Sequence, residues 1–428
     1  MDLSASAGEA VSRNECFGGR HLKYAAQVFV LVGNWPENGT KSSSALRKSG
    51  IVGAWFGLGR TNPILAQAKS GRTVLQKRNR LPDRKNQPKS KESNTFEAEN
   101  TLNNAIANGV NYLKTQAEEG FWTDFITSAG RGKTWISGYV GWQLAKCGLE
   151  NPLLQKVLGN ISDQGAYNEQ ILQDADSTTF LVGFHQALNG SVPAQLIENW
   201  LKFQNEEGSW ATYRHEAELR KTLDLDSEIS VEGWLSGHAC VSAAAALVVS
   251  DFPQLSVCFD KTIQYLAALI ENNQLNAYWW TSNIYSQAFA LLALSKSENY
   301  AEHKIKLTTS IVGQQLAGGF WVNHADNTPN AFYTALALKA LLAHQPENQQ
   351  TAIAAAANWL QNHQTTDGSW QTSRILRIPA TDVANPATVK VWRNSSFGVN
   401  ALSDDYNRVF TTATVVNVLY DYQNRSKK

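Results

Sequence analysis

Cysteine is scarce in this chain, and its placement excludes more than its number. The four cysteines, Cys16, Cys147, Cys240 and Cys258, follow neither a metal-ligand nor a disulfide spacing, which points to a reducing, cytoplasmic setting. Long apolar runs are missing too. The longest candidate near the N-terminus, Tyr24 to Gly33, is far short of the roughly 18 residues that cross a bilayer. It also lacks a small-residue cleavage site directly after it, so a secretory signal is not expected. No phosphate-binding loop, dinucleotide fingerprint, serine nucleophile elbow or H-E-x-x-H zinc motif occurs.

Net charge is nearly absent as well, at +1 over 428 residues, but this balance hides two different materials. Residues 1–91 carry 16 Lys and Arg against 5 Asp and Glu, leaving 22 against 32 for the remainder. Residues 1–95 show little periodicity and contain a basic, proline-bearing tract from Lys77 to Lys91. Such a composition buries too little apolar surface to offset ordering entropy, so a flexible basic N-terminal segment is expected there. A tail of this kind suits an anionic lipid surface, and peripheral membrane contact is the corresponding expectation. Nucleic acid is not an expected partner, because the remaining chain is acidic and the basic tract has no interleaved aromatics.

A repeat fills the rest. Gln116-x3-Gly120-x-Trp122 recurs as Gln204-x3-Gly208-x-Trp210, Gln315-x3-Gly319-x-Trp321 and Gln364-x3-Gly368-x-Trp370. A fifth copy, Gln274 to Trp280, has Tyr278 in place of glycine, and a degenerate turn runs through Gln164-Gly165-Ala166-Tyr167. Each copy follows an amphipathic run and precedes an apolar one rich in Ala and Leu, a pattern for an outer helix, a turn and a buried inner helix. Six pairs follow: Thr101–Lys146, Leu153–Leu188, Ala194–Val249, Val257–Leu294, Lys304–Ala343 and Thr351–Tyr422. One such pair cannot bury its apolar face alone. Six can close into an all-α (α/α)6 barrel over residues 96–425, with the glutamines and tryptophans serving as scaffold at the helix junctions.

One segment stands apart. Gln173-Asp174-Ala175-Asp176-Ser177-Thr178-Thr179-Phe180 sets two carboxylates and three hydroxyls at the start of the second inner helix. Asp, Ser and Thr are favoured at helix N-termini, so an N-cap with an acidic neighbour is the simplest reading.

The Gln–Gly–Trp repeats resemble the QW motifs of the squalene/oxidosqualene cyclase and terpene cyclase superfamily. Residues 173–180 resemble its D-x-D-D-T-A acid motif, and more closely the D-x-D-T-T variant of cyclases acting on diphosphate-carrying terpenes. The resemblance covers residues 96–425 and implies class II chemistry, the protonation-initiated cyclisation of an isoprenoid. It assigns the proton donor to Asp176 and the tuning of that acid to Asp174, with Ser177 standing where the family has a third carboxylate and Thr178 following it. It calls for no redox cofactor, and for magnesium only with a diphosphate substrate.

Rings lining the lumen would stabilise a cation. The candidates on or beside inner helices are Tyr139, Trp142, Trp234, Trp279, Tyr285, Phe289, Phe332 and Tyr333, with His238 at a helix start. The insert between Trp370 and Val409 gathers Arg374, Arg377, Lys390, Arg393 and Arg408, a set able to hold a diphosphate or carboxylate by charge-assisted hydrogen bonds. The chain has residues for one barrel, whereas full-length cyclases of this type combine two, so either its own lumen is the pocket or a partner subunit completes it.

Two other readings stay open. Protein prenyltransferase β-subunits share the single barrel and need zinc, and His238-Ala239-Cys240 suggests part of such a site. The segment resembling their later motif has Ala331 and Thr334 where Asp and His ligands would stand, which leaves no metal site. A barrel that binds an isoprenoid or lipid without catalysis is the third.

Overall fold

The computed structural model describes residues 91–425, apart from positions 118, 345, 346, 372 and 396. The expectation of a flexible basic segment lies, up to residue 90, outside the described residues. The first helix begins at Lys91, ahead of the expected boundary at residue 96.

Twelve helices build the barrel. The outer ones are α1 (Lys91–Thr115), α3 (Asn151–Asn160), α5 (Ala194–Leu201), α7 (Ser256–Glu271), α9 (Ala301–Gly313) and α11 (Gln350–Asn362). The inner ones are α2 (Thr134–Lys146), α4 (Ala175–Asn189), α6 (Ala239–Val249), α8 (Ile284–Leu294), α10 (Ala331–His344) and α12 (Val409–Arg425). Each inner helix packs on the next, and α12 returns to α2, so the ring is closed. Burial follows the composition: every residue of α6 is buried, whereas α7 buries one face of alternating Ile263, Leu266, Ala267 and Ile270.

The repeat residues stitch neighbouring pairs together. Gly208, Gly319 and Gly368 have φ of +95°, +87° and +89°, the left-handed region where a side chain is strained. A Cβ on each would lie 2.3–2.6 Å from a backbone oxygen of the following outer helix: Lys261, Ala355 and, closing the ring, Asn108. Gln204, Gln315 and Gln364 donate to Cys258, Ala352 and Ala105 carbonyls on those same helices, at 2.8–2.9 Å. Trp122, Trp321 and Trp370 donate their indole N–H back to the last turn of their own outer helix, at Leu113, Ile311 and Leu360. The tryptophan donors thus reach carbonyls in the last helical turn, which lack an i+4 partner.

Trp280 departs from this pattern. Its ring stacks on Tyr285 at 4.2 Å and on Phe332 at 5.2 Å, among the inner helices, so the fifth copy delivers a lumen ring in place of a scaffold tryptophan.

Connections at the inner-helix C-termini are short. Those at the N-termini are long and carry three two-stranded ribbons: β1 (Asp124–Thr127) with β2 (Gly130–Gly132), β3 (Trp321–Asn323) with β4 (Thr328–Asn330), and β5 (Leu376–Ile378) with β6 (Ala401–Ser403). All insertions therefore gather at the end of the barrel where α4 begins.

Candidate active site

The acid segment is placed by a tight return of the chain. Gly165 (φ +58°) lies so close to Thr178 that a Cβ would meet its hydroxyl at 2.4 Å. The Thr178 hydroxyl donates to the Gly165 carbonyl (2.9 Å), which also accepts the Asp174 N–H (3.1 Å). Asp174 then caps α4 with extended backbone, φ −132° and ψ 158°. Its Oδ1 accepts the Ser177 N–H and its Oδ2 the Ser177 hydroxyl, both at 2.7 Å. Ser177, at the family's third acidic position, is thus wholly engaged with Asp174.

Asp176 differs. No hydrogen bond from a described residue reaches its carboxyl, and burial followed by the nearby Asp174 charge pushes it well above the usual carboxylate range. Asp174 is also raised by burial, but its hydrogen bonds restrain it to about 6. The environments separate two carboxyls two residues apart into a bonded cap and a carboxyl whose neutral form is favoured. Asp176 keeps partial exposure while Asp174, Ser177 and Thr178 are buried.

The six-fold repeat gives Asp176 five counterparts. It is the second residue of α4, and the second residues of α2, α6, α8, α10 and α12 are Trp135, Cys240, Tyr285, Phe332 and Phe410. Cys240 and Tyr285 lie close enough to feel the Asp176 charge. The Tyr285 hydroxyl is buried and has no partner among the described residues. Trp135 and Trp280 reach each other from opposite sides of the ring, 6.2 Å apart, and Phe410 stacks on Tyr139 at 3.8 Å. Phe180 and Phe289, one turn lower, stand 6.4 Å apart. Asp176 therefore stands beside a lumen filled with aromatic rings.

The other expected residues fall into separate places. Tyr139, Tyr285, Phe289 and Phe332 belong to the lumen set. Trp142 lies below it, between Phe180 and the ammonium groups of Lys146 and Lys339. Trp234, Trp279 and His238 form a second cluster with Tyr213 and Tyr278 in the wall of the mouth. The Trp279 indole donates to Thr212 Oγ1 (2.7 Å), which lies 3.2 Å from His238 Nδ1, and His238 Nε2 donates to the Gly233 carbonyl (2.8 Å). With both nitrogens occupied and burial lowering its pKa to about 4, His238 is a neutral structural residue. Tyr333 ties the turn before α8 to the insert through Thr281 (2.8 Å) and the Ile375 carbonyl (3.1 Å). Trp135, Trp280, Phe180 and Phe410 escaped the sequence reading; counting two residues into each apolar run, in register with Asp176, finds Trp135 and Phe410.

The insert after Trp370 is a strap across the mouth. It bonds to the β3–β4 ribbon through Ser373, to the turn before α8 through Arg377, to Trp234 through Pro379, and to Ser128 and Ile126 of the first ribbon through Gly398 and Ser403. Its arginines have different employments. Arg374 faces Asp404 (3.7 Å) and Arg408 pairs with Asp367 (2.8 Å). Arg393 donates to the Val399 carbonyl. Arg377, half-buried against Trp392, donates only to the carbonyls of Ala277 and Tyr278, and its charge reaches Tyr333 and Cys240. Among the described residues no carboxylate forms an ion pair with it.

For a metal the residues do not fit. Among the described residues no three His, Cys, Asp or Glu side chains stand together, and the strap offers guanidinium groups, donors suited to an anion. Cys240 Sγ accepts the Tyr278 N–H (3.3 Å), and among the described residues no third His, Cys, Asp or Glu joins it and His238 to make a metal site.

Solved structures share this architecture. The type II terpene cyclase MstE from Scytonema, without ligand, aligns with a TM-score of 0.69 at 26% identity, covering 76% of this chain and 99% of that one. The same cyclase has been seen with geranylgeranyl dihydroxybenzoate as substrate (TM-score 0.69, 26% identity, 77% and 99% covered) and with merosterolic acid A as product. A protein from Actinoplanes aligns with a TM-score of 0.66 at 26% identity, over 75% and 99%. The chain has the fold of a type II terpene cyclase. No protein-family model and no curated protein matches its sequence. The MstE chain in that structure is covered almost end to end, so the single-barrel length counts neither for nor against a partner subunit.

Proposed function

We propose that this protein cyclises an isoprenoid by transferring the Asp176 proton to an alkene of the chain. The observation that carries the assignment is the contrast at the start of α4: Asp174 has both oxygens bonded to Ser177, while half-buried Asp176 beside it has no donor among the described residues to favour its anion. In the step, the Asp176 O–H bond breaks and a C–H bond forms at one alkene carbon, leaving a tertiary cation and a carboxylate. Neighbouring π-bonds then close C–C bonds, and loss of a proton gives a product isomeric with the substrate.

A raised pKa keeps the proton in place at working pH but makes the transfer uphill. The compensation comes from the surroundings: ion pairing is strong where water is excluded, and each ring face adds about 0.5–2 kcal/mol for a cation. Trp135, Tyr139, Phe180, Trp280, Tyr285, Phe289, Phe332 and Phe410 supply those faces. Asp174 acts through Asp176, fixing the first turn of α4 and disfavouring a second negative charge.

A prenyl chain with an anionic head group is the substrate class. Arg377 is the residue to hold that head group, whether a diphosphate or the carboxylate of an aromatic acid like the one MstE carries. Among the described residues magnesium has no cluster of ligands, and it would arrive only with a diphosphate. Incubation with geranylgeranyl diphosphate and geranylgeranyl dihydroxybenzoate, followed by mass spectrometry, tests the reading. A product isomeric with its substrate, missing with folded Asp176→Asn, is expected; equal turnover by that variant would remove Asp176 from the mechanism.

A further inference from the structure

We propose that Phe410 is the stopper of the lumen and fixes how long an isoprenoid chain the barrel accepts. This rests on the reading of the lumen as the isoprenoid chamber. The ring of Phe410 lies 3.8 Å from Tyr139, 5.2 Å from Trp135, 5.5 Å from Phe125 and Phe332, and 5.6 Å from Trp280. Trp135 and Tyr139 come from α2, Phe332 from α10 and Phe125 from β1, all next to α12. Trp280 comes from the start of α8, which is not a neighbour of α12. A ring that touches partners on both flanks and across the barrel sits close to its axis.

Beneath it the lumen is sealed in steps along one stripe of α12, set by helical spacing. One turn below, Thr414 shares a 2.7 Å hydrogen bond with the Tyr139 hydroxyl. Two turns below, Lys339 of α10 crosses to Gln143 of α2 (3.1 Å) and to Asn417 of α12, and Asn417 donates to the Gln143 carbonyl (2.8 Å). These bonds tie three inner helices across the interior. Phe410 shares the layer of Asp176, and above that layer lies the strap. Space gained by trimming Phe410 therefore joins the chamber that holds the acid. Space gained at Lys339 lies about 10 Å lower, behind the Tyr139–Thr414 bond.

The test compares wild type with Phe410→Ala, Phe410→Leu and Lys339→Met, each checked by circular dichroism. The probes are farnesyl, geranylgeranyl and geranylfarnesyl chains, as diphosphates and as dihydroxybenzoates. For Phe410→Ala the ratio of kcat/KM between the longest and the preferred chain is expected to rise about tenfold or more, with Phe410→Leu in between. Lys339→Met should keep the wild-type ratio. Phe410→Leu, which keeps the core largely filled, carries the test if the alanine variant does not fold. An unchanged ratio in the folded Phe410 variants, or an equal shift in Lys339→Met, overturns the stopper while leaving the cyclase reading intact. Wild type that converts none of the six probes sinks the cyclase reading and the stopper with it.

Discussion

Two pairs of carboxylates stand at the starts of two inner helices of this barrel, and they differ in the donors that face them. At the start of α12, Asp124 accepts four backbone N–H groups: Phe125 and Asn407 on Oδ1, Val409 and Phe410 on Oδ2, at 2.9–3.4 Å. Its neighbour Asp405 accepts from Ser373 and from the Thr411 hydroxyl. Burial and the Asp405 charge push Asp124 well above the usual carboxylate range, and the N–H groups offset only part of this. At the start of α4, Asp176 is pushed up by the same two causes, and nothing pulls it back. Burial alone therefore does not identify a proton donor. What differs between the two is the number of donors facing the carboxyl, each of which favours the anion.

The comparison can be broken most sharply by making the same change in both places. Asp176→Asn should reduce turnover by about a thousandfold or more while leaving the barrel folded. Asp124→Asn should do the reverse, because its amide turns an N–H₂ toward backbone N–H groups. A loss of about 2–4 kcal/mol in urea unfolding is expected, from a buried group left unpaired. Equal destabilisation by the two variants would erase the distinction.

Stability against pH sharpens it further. A carboxyl whose pKa is raised on folding stabilises the fold in full below its unfolded value, about 4, and that contribution is lost as pH rises through the folded value. For Asp174 the window ends at about 6. For Asp176 it extends higher, so Asp176→Asn should melt above wild type at neutral pH, with the difference shrinking as pH falls toward 4. A difference that does not change with pH would mean that Asp176 is not held neutral.

Smaller effects belong to the strap. Arg377→Ala should raise KM for an anionic prenyl substrate about tenfold, with less change in kcat, because a charge-assisted contact to the head group is made before and during reaction alike. Arg374→Ala and Arg408→Ala, whose charges already face Asp404 and Asp367, should move KM by less than about threefold. An equal rise in all three would restore a shared cation cluster.

Much of this was legible in the sequence because it is repeated. The glutamines, glycines and tryptophans of 204–210, 315–321 and 364–370 mark each turn, and the Ala- and Leu-rich runs mark the inner helices. Asp174 as a cap follows from residue types alone. What one sequence does not reveal are contacts across long chain separations. The path of the strap depends on pairings such as Pro379 with Trp234 and Gly398 with Ser128. Whether an arginine is free depends on partners such as Asp367, forty-one positions from Arg408. Trp280 looks like its four repeat counterparts and yet points the other way. Tyr278, in the place of the glycine, stacks on His238 at 3.8 Å and turns the local chain into the mouth wall.

The central claim, that Asp176 delivers a proton to carbon, is tested most directly by running the reaction in D₂O with geranylgeranyl dihydroxybenzoate and geranylgeranyl diphosphate. Cyclic product carrying one deuterium at a carbon of the terminal isoprene unit, and none formed by folded Asp176→Asn, is the predicted result. Product without deuterium in that unit, or labelled product from the Asp176→Asn protein, would contradict it.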